Sequence, residues 1–512
     1  MMSGVNDDKK VSRGWPHSLW IDTTPDTGFP TLEQNLEVDT VIIGGGITGI
    51  TTAVLLREAG QRVALIEMRR IAKSVTGHTT AKVTSLHGLK HQGLLRNFSE
   101  ERARIYAGAN QAAVERIASI ISQRNIDCDF KRTSAYTYTE SADGIRDIER
   151  EVEAAQKLGL AVSFTEDIPL PFEVKGAIRL DNQAQFHPRK YLLALANSIQ
   201  GDDSHIFENT RAFNVEDGNP CVVTTDRGEI KAKNVVLATA FPIKDTGHFY
   251  TKLYPYYFYL TGMYIEGDVP EGIYYSDDGD SRSIRNHPTE DGPLLIIGGG
   301  HHKSGQGGDT FKHYQAVEDY ARERFDIKSI RYYWSTEDYR TPDKVPYIGK
   351  APNTSHTYMA SGFAGWGMTN SMVAAMIISD EILDKSNPWV SFFDPSRHDI
   401  AQYGRTYLAE GANIAEQYGK EYLLRPERMN PADLPNGEGK IIIADDKKVA
   451  AYKDEDGNLY TLSTKCVHMG CQVSWNGAEK TWDCPCHGSR YNYNGELIHG
   501  PALANLPEET IE

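Results

Sequence analysis

The chain has 512 residues, 70 acidic against 54 basic side chains, and a formal net charge of −16 at pH 7. That balance argues against nucleic acid as a partner and against a polybasic membrane contact. No apolar run approaches the ~18 residues of a spanning helix, residues 1–38 lack the basic and apolar regions of a signal peptide, and the expected address is cytoplasmic with no transmembrane segment.

Residues 1–38 are polar, carry Pro16, Pro25 and Pro30, and read as a lead-in lying across the surface. Asp39 to Glu67 then reads as strand, glycine turn, helix and strand. Thr40-Val41-Ile42-Ile43 runs into Gly44, Gly46 and Gly49 at G-x-G-x-x-G spacing. Those glycines let the backbone turn sharply, approach a pyrophosphate and pack the next helix against the strand, with Ile47 and Thr48 at the helix N-terminus. Val63–Ile66 is the second strand, and Glu67 closes it where an acid binds a ribose hydroxyl, roughly 20 residues beyond the loop. An acid there disfavours a 2′-phosphate, so the ligand is expected to be FAD or NAD rather than NADP.

Met68–Gly88 is small and hydroxylated, which suits either a segment beside a cofactor or an ordinary surface loop. Helical spacing follows over Leu94–Arg124 and Ile145–Leu158, with an alternating strand over Cys128–Thr139 between them. Val222–Thr225, Val235–Thr239, Leu253–Ile265 and Leu294–Ile297 read as strands. The last runs into GGGHHKSGQGG (298–308), which lacks the helix and acid of a second fingerprint and reads as a flexible loop. His301 and His302 are then solvated loop residues, or line a substrate face. A further strand and glycine turn open a helix at Gly365–Met368, a second place for a flavin or its phosphate.

The fingerprint, the LATA strand (237–240), the T-P-D-x-x-P-x-I-G element (341–349) and the G-x-x-G-x-G-x-T turn (362–369) resemble the D-amino-acid-oxidase and glycine-oxidase superfamily of FAD-dependent oxidoreductases. The resemblance implies an α/β FAD-binding domain of the GR2-type, Rossmann-like fold over 39–390. An α+β substrate domain is inserted at about 90–190 and 245–335. It places the flavin between Thr79, Thr80 and the Lys82 segment on one side and Gly365, Trp366, Gly367 and Met368 on the other, with Ala212 by the adenine and Thr239 under the nucleotide. Ala81 stands where some relatives carry a flavin-linking histidine and the late element has no cysteine, so the FAD is expected to be non-covalent. Arg340 is a candidate for holding a substrate carboxylate, or a surface ion-pair partner; the catalytic residues are otherwise unknown, with His301 the other candidate.

Residues 391–430 read as a linker with a helix over Ile400–Tyr422. From Asn436 the texture changes to short strands and tight turns, with a hairpin turn at Asp456-Gly457-Asn458. Cys128 and Cys221 stand alone and read as buried thiols, while Cys466, Cys471, Cys484 and Cys486 crowd together. Cys466-x-His468 and Cys484-x-x-His487 set two thiolates and two imidazoles on two loops. Thiolate suits iron with bridging sulfide and imidazole puts less negative charge on the second iron; structural zinc would take the same four ligands, though in a different order. The pattern resembles a Rieske [2Fe–2S] centre in a small all-β domain, 431–512. By that resemblance Cys471 and Cys486 form the loop-linking disulfide, Ser489 and Tyr491 hydrogen-bond cluster sulfur, and the segments at Gly500-Pro501 and Leu506-Pro507 shield the cluster.

FAD and a one-electron cluster in one chain imply a dehydrogenase that oxidises a small amine, amino acid or related molecule and hands electrons singly to an acceptor protein or quinone. Two alternatives stand beside it. One is an NADH-driven reductase serving a partner oxygenase, although the chain has one dinucleotide fingerprint where such enzymes usually have two. The other is a non-catalytic redox sensor.

Overall fold

The computed structural model describes residues 16–276, 278–397, 400–423 and 425–511. Its first half is built on a sheet whose central strand β1 (Leu36–Ile43) is followed by helix α1 (Ile47–Glu58) and strand β2 (Val63–Ile66). The run from Val38 to Ile43 is almost wholly buried because both sheet faces are covered, as a parallel sheet requires. β1 pairs in parallel with β2 on one side and with strand Glu229–Leu237 on the other; Thr357–Ser361 then extends the parallel set. α1 packs on helix Gly367–Ile382, where Thr48 Oγ1 donates to Ser371 Oγ at 2.9 Å. The N-termini of these two helices therefore open side by side.

A second, nine-stranded sheet runs from strand β3 (Lys82–Val83) through Gly176–Gln185, Lys131–Thr139, Ile273–Ser276, Arg282–Thr289, Gly292–Lys303 and Tyr254–Ile265 to strand β4 (Ile327–Arg340), with Val162–Thr165 added beside Gly176–Gln185. Three expectations change here. The helix expected over Leu94–Arg124 is two, His91–Asn97 and Glu100–Gln123. They are divided at extended Phe98 and Ser99, whose hydroxyl caps the second by accepting from Arg102 N–H. Residues 298–303 are not a flexible loop but the end of strand Gly292–Lys303. Glycine suits the close packing there: a Cβ on Gly298 would stand 2.3 Å from the Phe258 ring, and one on Gly299 would meet the movable end of Arg282 at 2.5 Å. The lead-in runs largely at the surface over 21–37, as expected, but is anchored at its described start: Leu19 and Trp20 are fully buried, and the Trp20 indole donates to Thr79 O at 2.7 Å. Residues 1–15 lie outside the described residues.

Helix Ile400–Leu423 leads into two small antiparallel sheets, Gly439–Ala444, Lys447–Lys453 and Leu459–Ser463, then Ser474–Asn476, Thr481–Asp483, Arg490–Asn492 and Leu497–His499. This unit is docked on the second sheet and on helix Phe311–Arg324, which packs against that sheet, by buried polar contacts. Tyr314 Oη donates to Glu479 at 2.6 Å, Ala478 N–H to Thr310 Oγ1 at 3.1 Å, and the Arg490 guanidinium lies over the Tyr257 ring. Among the described residues no helix is long and apolar enough to cross a membrane.

Candidate flavin cavity and metal centre

A cavity of about 730 Å³ opens where β1 ends, between the two sheets. Its floor is the glycine turn. Gly44 has φ +114°, and a Cβ there would stand 2.7 Å from Ala238 O, so the strand ends of β1 and Glu229–Leu237 close together only over glycine. A Cβ on Gly49 would fall 2.0 Å from Gly44 O, which makes this third glycine the helix–strand packing position; it does not line the cavity. Every other residue expected at the cofactor does: Gly44, Gly46, Ile47, Thr48, Glu67, Thr79, Thr80, Ala212, Thr239, Gly365, Trp366, Gly367 and Met368. Glu67 accepts from the Gly45 and Arg69 N–H groups at 2.9 and 3.0 Å, while burial raises its carboxyl above the usual range.

One end of the cavity is aromatic and cationic. Lys82 is buried, lies over the rings of Trp366 and Tyr275 at 4.9 and 5.0 Å, and donates to Ser283 Oγ at 2.9 Å. Burial and then the nearby Arg285 lower its ammonium to about 7. Arg340 lines the same end, stacked on Tyr256 at 4.1 Å, and makes no ion pair among the described residues. Asp338 accepts from Gly365 N–H at 2.5 Å and is pushed up to about 6 by burial against those donors. His301 also lines the cavity, its imidazole lowered to about 3 by burial, whereas His302 turns away and bonds Tyr259 Oη at 2.9 Å. Neither is a solvated loop histidine, because both belong to a strand. The sequence reading missed Lys82 as an individual residue, and Asp338 and Tyr275 altogether. The signal for Lys82 was a lone lysine within a small, hydroxylated run.

The tail brings its six expected residues together. Its two loops are built alike: Gly470 N–H closes onto Cys466 O at 2.8 Å and Gly488 N–H onto Cys484 O at 3.1 Å, each glycine at positive φ. Cys471 and Cys486 are joined in a disulfide, Cα–Cα 6.5 Å, that ties one loop to the other. Cys466 and Cys484 remain free and buried. The His468 and His487 rings stand 5.0 Å apart at 90°, and His468 Nδ1 and both His487 nitrogens are buried without hydrogen-bond partners among the described residues. Buried imidazole nitrogens without hydrogen bonds are what ligands to an absent metal look like. Tyr491 Oη lies 3.2 Å from Cys466 Sγ, and Ser489 Oγ accepts from Ala502 N–H at 3.1 Å. The donor set, two free thiols and two unpartnered imidazoles, fits a [2Fe–2S] cluster; the disulfide sulfurs are spoken for and cannot join it.

A family model described as FAD dependent oxidoreductase matches residues 39–381, and a Rieske [2Fe-2S] domain model matches 427–509. The chain belongs to this FAD-dependent oxidoreductase family. It binds FAD in that part and a [2Fe–2S] cluster in its tail. YhfW of Bacillus subtilis (strain 168), which bears the name of a Rieske 2Fe-2S iron-sulfur protein, is 39% identical over 500 residues, 97% of this chain and 98% of that one. Gamma-glutamylputrescine oxidoreductase of Escherichia coli (strain K12) is 23% identical over 216 residues, 41% of this chain and 50% of that protein. The crystal structure of glycine oxidase from Geobacillus kaustophilus superposes with a TM-score of 0.59 at 18% identity, over 71% of this chain and all of that one, and shares the fold.

Proposed function

We propose that this oxidoreductase is a dehydrogenase of small amines or amino acids that sends electrons from the flavin site to the cluster site within one chain and then to an external acceptor. Bound FAD would supply the hydride acceptor, and the cluster a one-electron relay. The observation that carries the reading is the alternation along β4. Thr336, Asp338 and Arg340 face the cavity, while Tyr339, between them, donates from Oη to His487 O at 3.0 Å. Phe241 makes a second bridge, lining the cavity while its ring lies 6.2 Å from that of His468. The two sites share a wall.

In this reading the glycine turn and Glu67 hold the dinucleotide, and Cys466, His468, Cys484 and His487 hold the cluster. Arg340 holds a substrate carboxylate, since this cavity guanidinium makes no ion pair among the described residues and is suited to a fork-shaped contact. Lys82, poised by burial near neutrality, accepts the proton of the substrate ammonium. Both imidazoles reach the flavoprotein body, His487 by Tyr250 and His468 by Phe241, but His487 is fully buried whereas His468 is flanked by exposed Val467 and Met469. Electrons therefore leave on the His468 side, where a partner protein or quinone can reach.

The test is an anaerobic screen of amines, amino acids and NADH, following loss of flavin absorbance. Bleaching by an amine or amino acid supports the dehydrogenase. Bleaching by NADH alone would replace it with the reductase that serves an oxygenase, and no bleaching by any reductant would leave a sensor.

A further inference from the structure

The segment that covers the cluster loops also faces the flavin cavity. On one side Ala502 N–H donates to Ser489 Oγ, and a Cβ on Gly500 would stand 2.5 Å from Ser489 Cα, so the segment lies directly on the second cysteine–histidine loop. On the other side Glu496, Leu497, Ile498, His499, Gly500 and Leu503 line the cavity, although they belong to the Rieske unit. Arg69, two residues beyond Glu67, pairs with Glu496 at 3.3 Å. His499 Nε2 lies 3.5 Å from Glu337 Oε2, while its Nδ1 is buried and has no hydrogen-bond partner among the described residues. A buried imidazole nitrogen left without a hydrogen bond costs free energy unless something absent from the fold supplies one. FAD offers ring nitrogens, carbonyls, phosphates and ribose hydroxyls.

We propose that residues 496–503 of the Rieske unit complete the FAD site, with His499 hydrogen-bonding the cofactor and the Glu496–Arg69 pair fastening the segment, so that FAD retention depends on the docked Rieske unit. The inference rests on the assignment of the cavity to FAD. It follows by linkage: a ligand that touches both units binds more tightly when they are docked, and holds them docked by the same factor. It also makes the order of assembly matter, since a chain whose cluster loops are not formed has an FAD site open on one side.

The experiment uses the full-length chain loaded with cluster and FAD. Release of FAD on dilution is followed by recovery of flavin fluorescence, and the cluster by electron paramagnetic resonance, for the wild type, His499→Ala, Glu496→Lys and Glu67→Gln. Expected is release about fivefold or more faster in both His499→Ala and Glu496→Lys, from the loss of one hydrogen bond or one pair, with the cluster spectrum retained. Release within about twofold of wild type in both, while Glu67→Gln accelerates it, overturns the proposal and leaves the cavity assignment standing. Unchanged release in all three variants overturns the cavity assignment, and the proposal with it. If His499→Ala does not take up cluster, Glu496→Lys, a change on an exposed side chain, decides by the same criteria.

Discussion

At the scale of single residues, burial has tuned the groups that face the cavity. Lys82 lies near 7 because its ammonium is desolvated among Trp366 and Tyr275 and has a cation, Arg285, nearby. Below that pH it is charged and cannot accept a proton; above it the free amine can. Substrate oxidation, measured as kcat/KM, should therefore rise with pH through about 7, and Lys82→Met should remove that limb while leaving FAD bound. Arg340→Leu tests a different role, and should raise KM for an acidic substrate by roughly tenfold or more without moving the limb. Glu67 accepts two backbone N–H groups, so Glu67→Gln should weaken FAD binding by roughly tenfold, read by fluorescence titration. In the tail, Tyr491→Phe removes the hydroxyl beside Cys466 Sγ. A donor to cluster sulfur stabilises the more negative reduced state, so the potential should fall in that variant, as redox titration would show.

At the scale of elements, strand β4 is the one on which both sites depend, because its period of two sends Asp338 and Arg340 one way and Tyr339 the other. Tyr339→Phe keeps the ring and removes the hydrogen bond to the His487 carbonyl. Reduction of the cluster after rapid mixing should slow, while flavin reduction and the cluster's potential stay as they were. The glycine turn is the other critical element. Gly44→Ala would force a Cβ against Ala238 O at a positive φ, at a cost of about 1–3 kcal/mol, and should be read as a lower melting temperature together with weaker FAD binding. How legible these elements were follows from how local their causes are. The β1–α1–β2 unit and the two cysteine–histidine loops are specified by residues adjacent in the chain, and their side chains stand where the spacing put them. The strand at Gly298–His302 was hidden because its glycines answer to Phe258 and Arg282, which lie elsewhere in the sequence. Lys82 was hidden likewise, since what sets it apart is the burial contributed by Trp366, Tyr275 and Ser283.

At the scale of the whole molecule, the two cofactor-binding parts are fused through a buried interface. Arg490 illustrates it, paired with Glu479 at 3.0 Å and lying over Tyr257 of the second sheet. A buried charge with its partner and a covering ring belongs to a fixed contact more than to a passing one, since breaking it strands a charge. None of this docking was visible in the sequence, which read the two units as neighbours along the chain but carried no local sign of Tyr339 or His499 reaching from one to the other. The central claim, that electrons cross this interface inside one chain, is tested most directly by mixing the anaerobic holoprotein with a reducing substrate and freezing it at intervals for electron paramagnetic resonance, with flavin absorbance followed in parallel. The account predicts that the reduced-cluster signal grows in as substrate reduces the flavin, at a rate independent of protein concentration. A flavin that bleaches fully while the cluster stays oxidised, or a cluster signal whose rate scales with protein concentration, would contradict it.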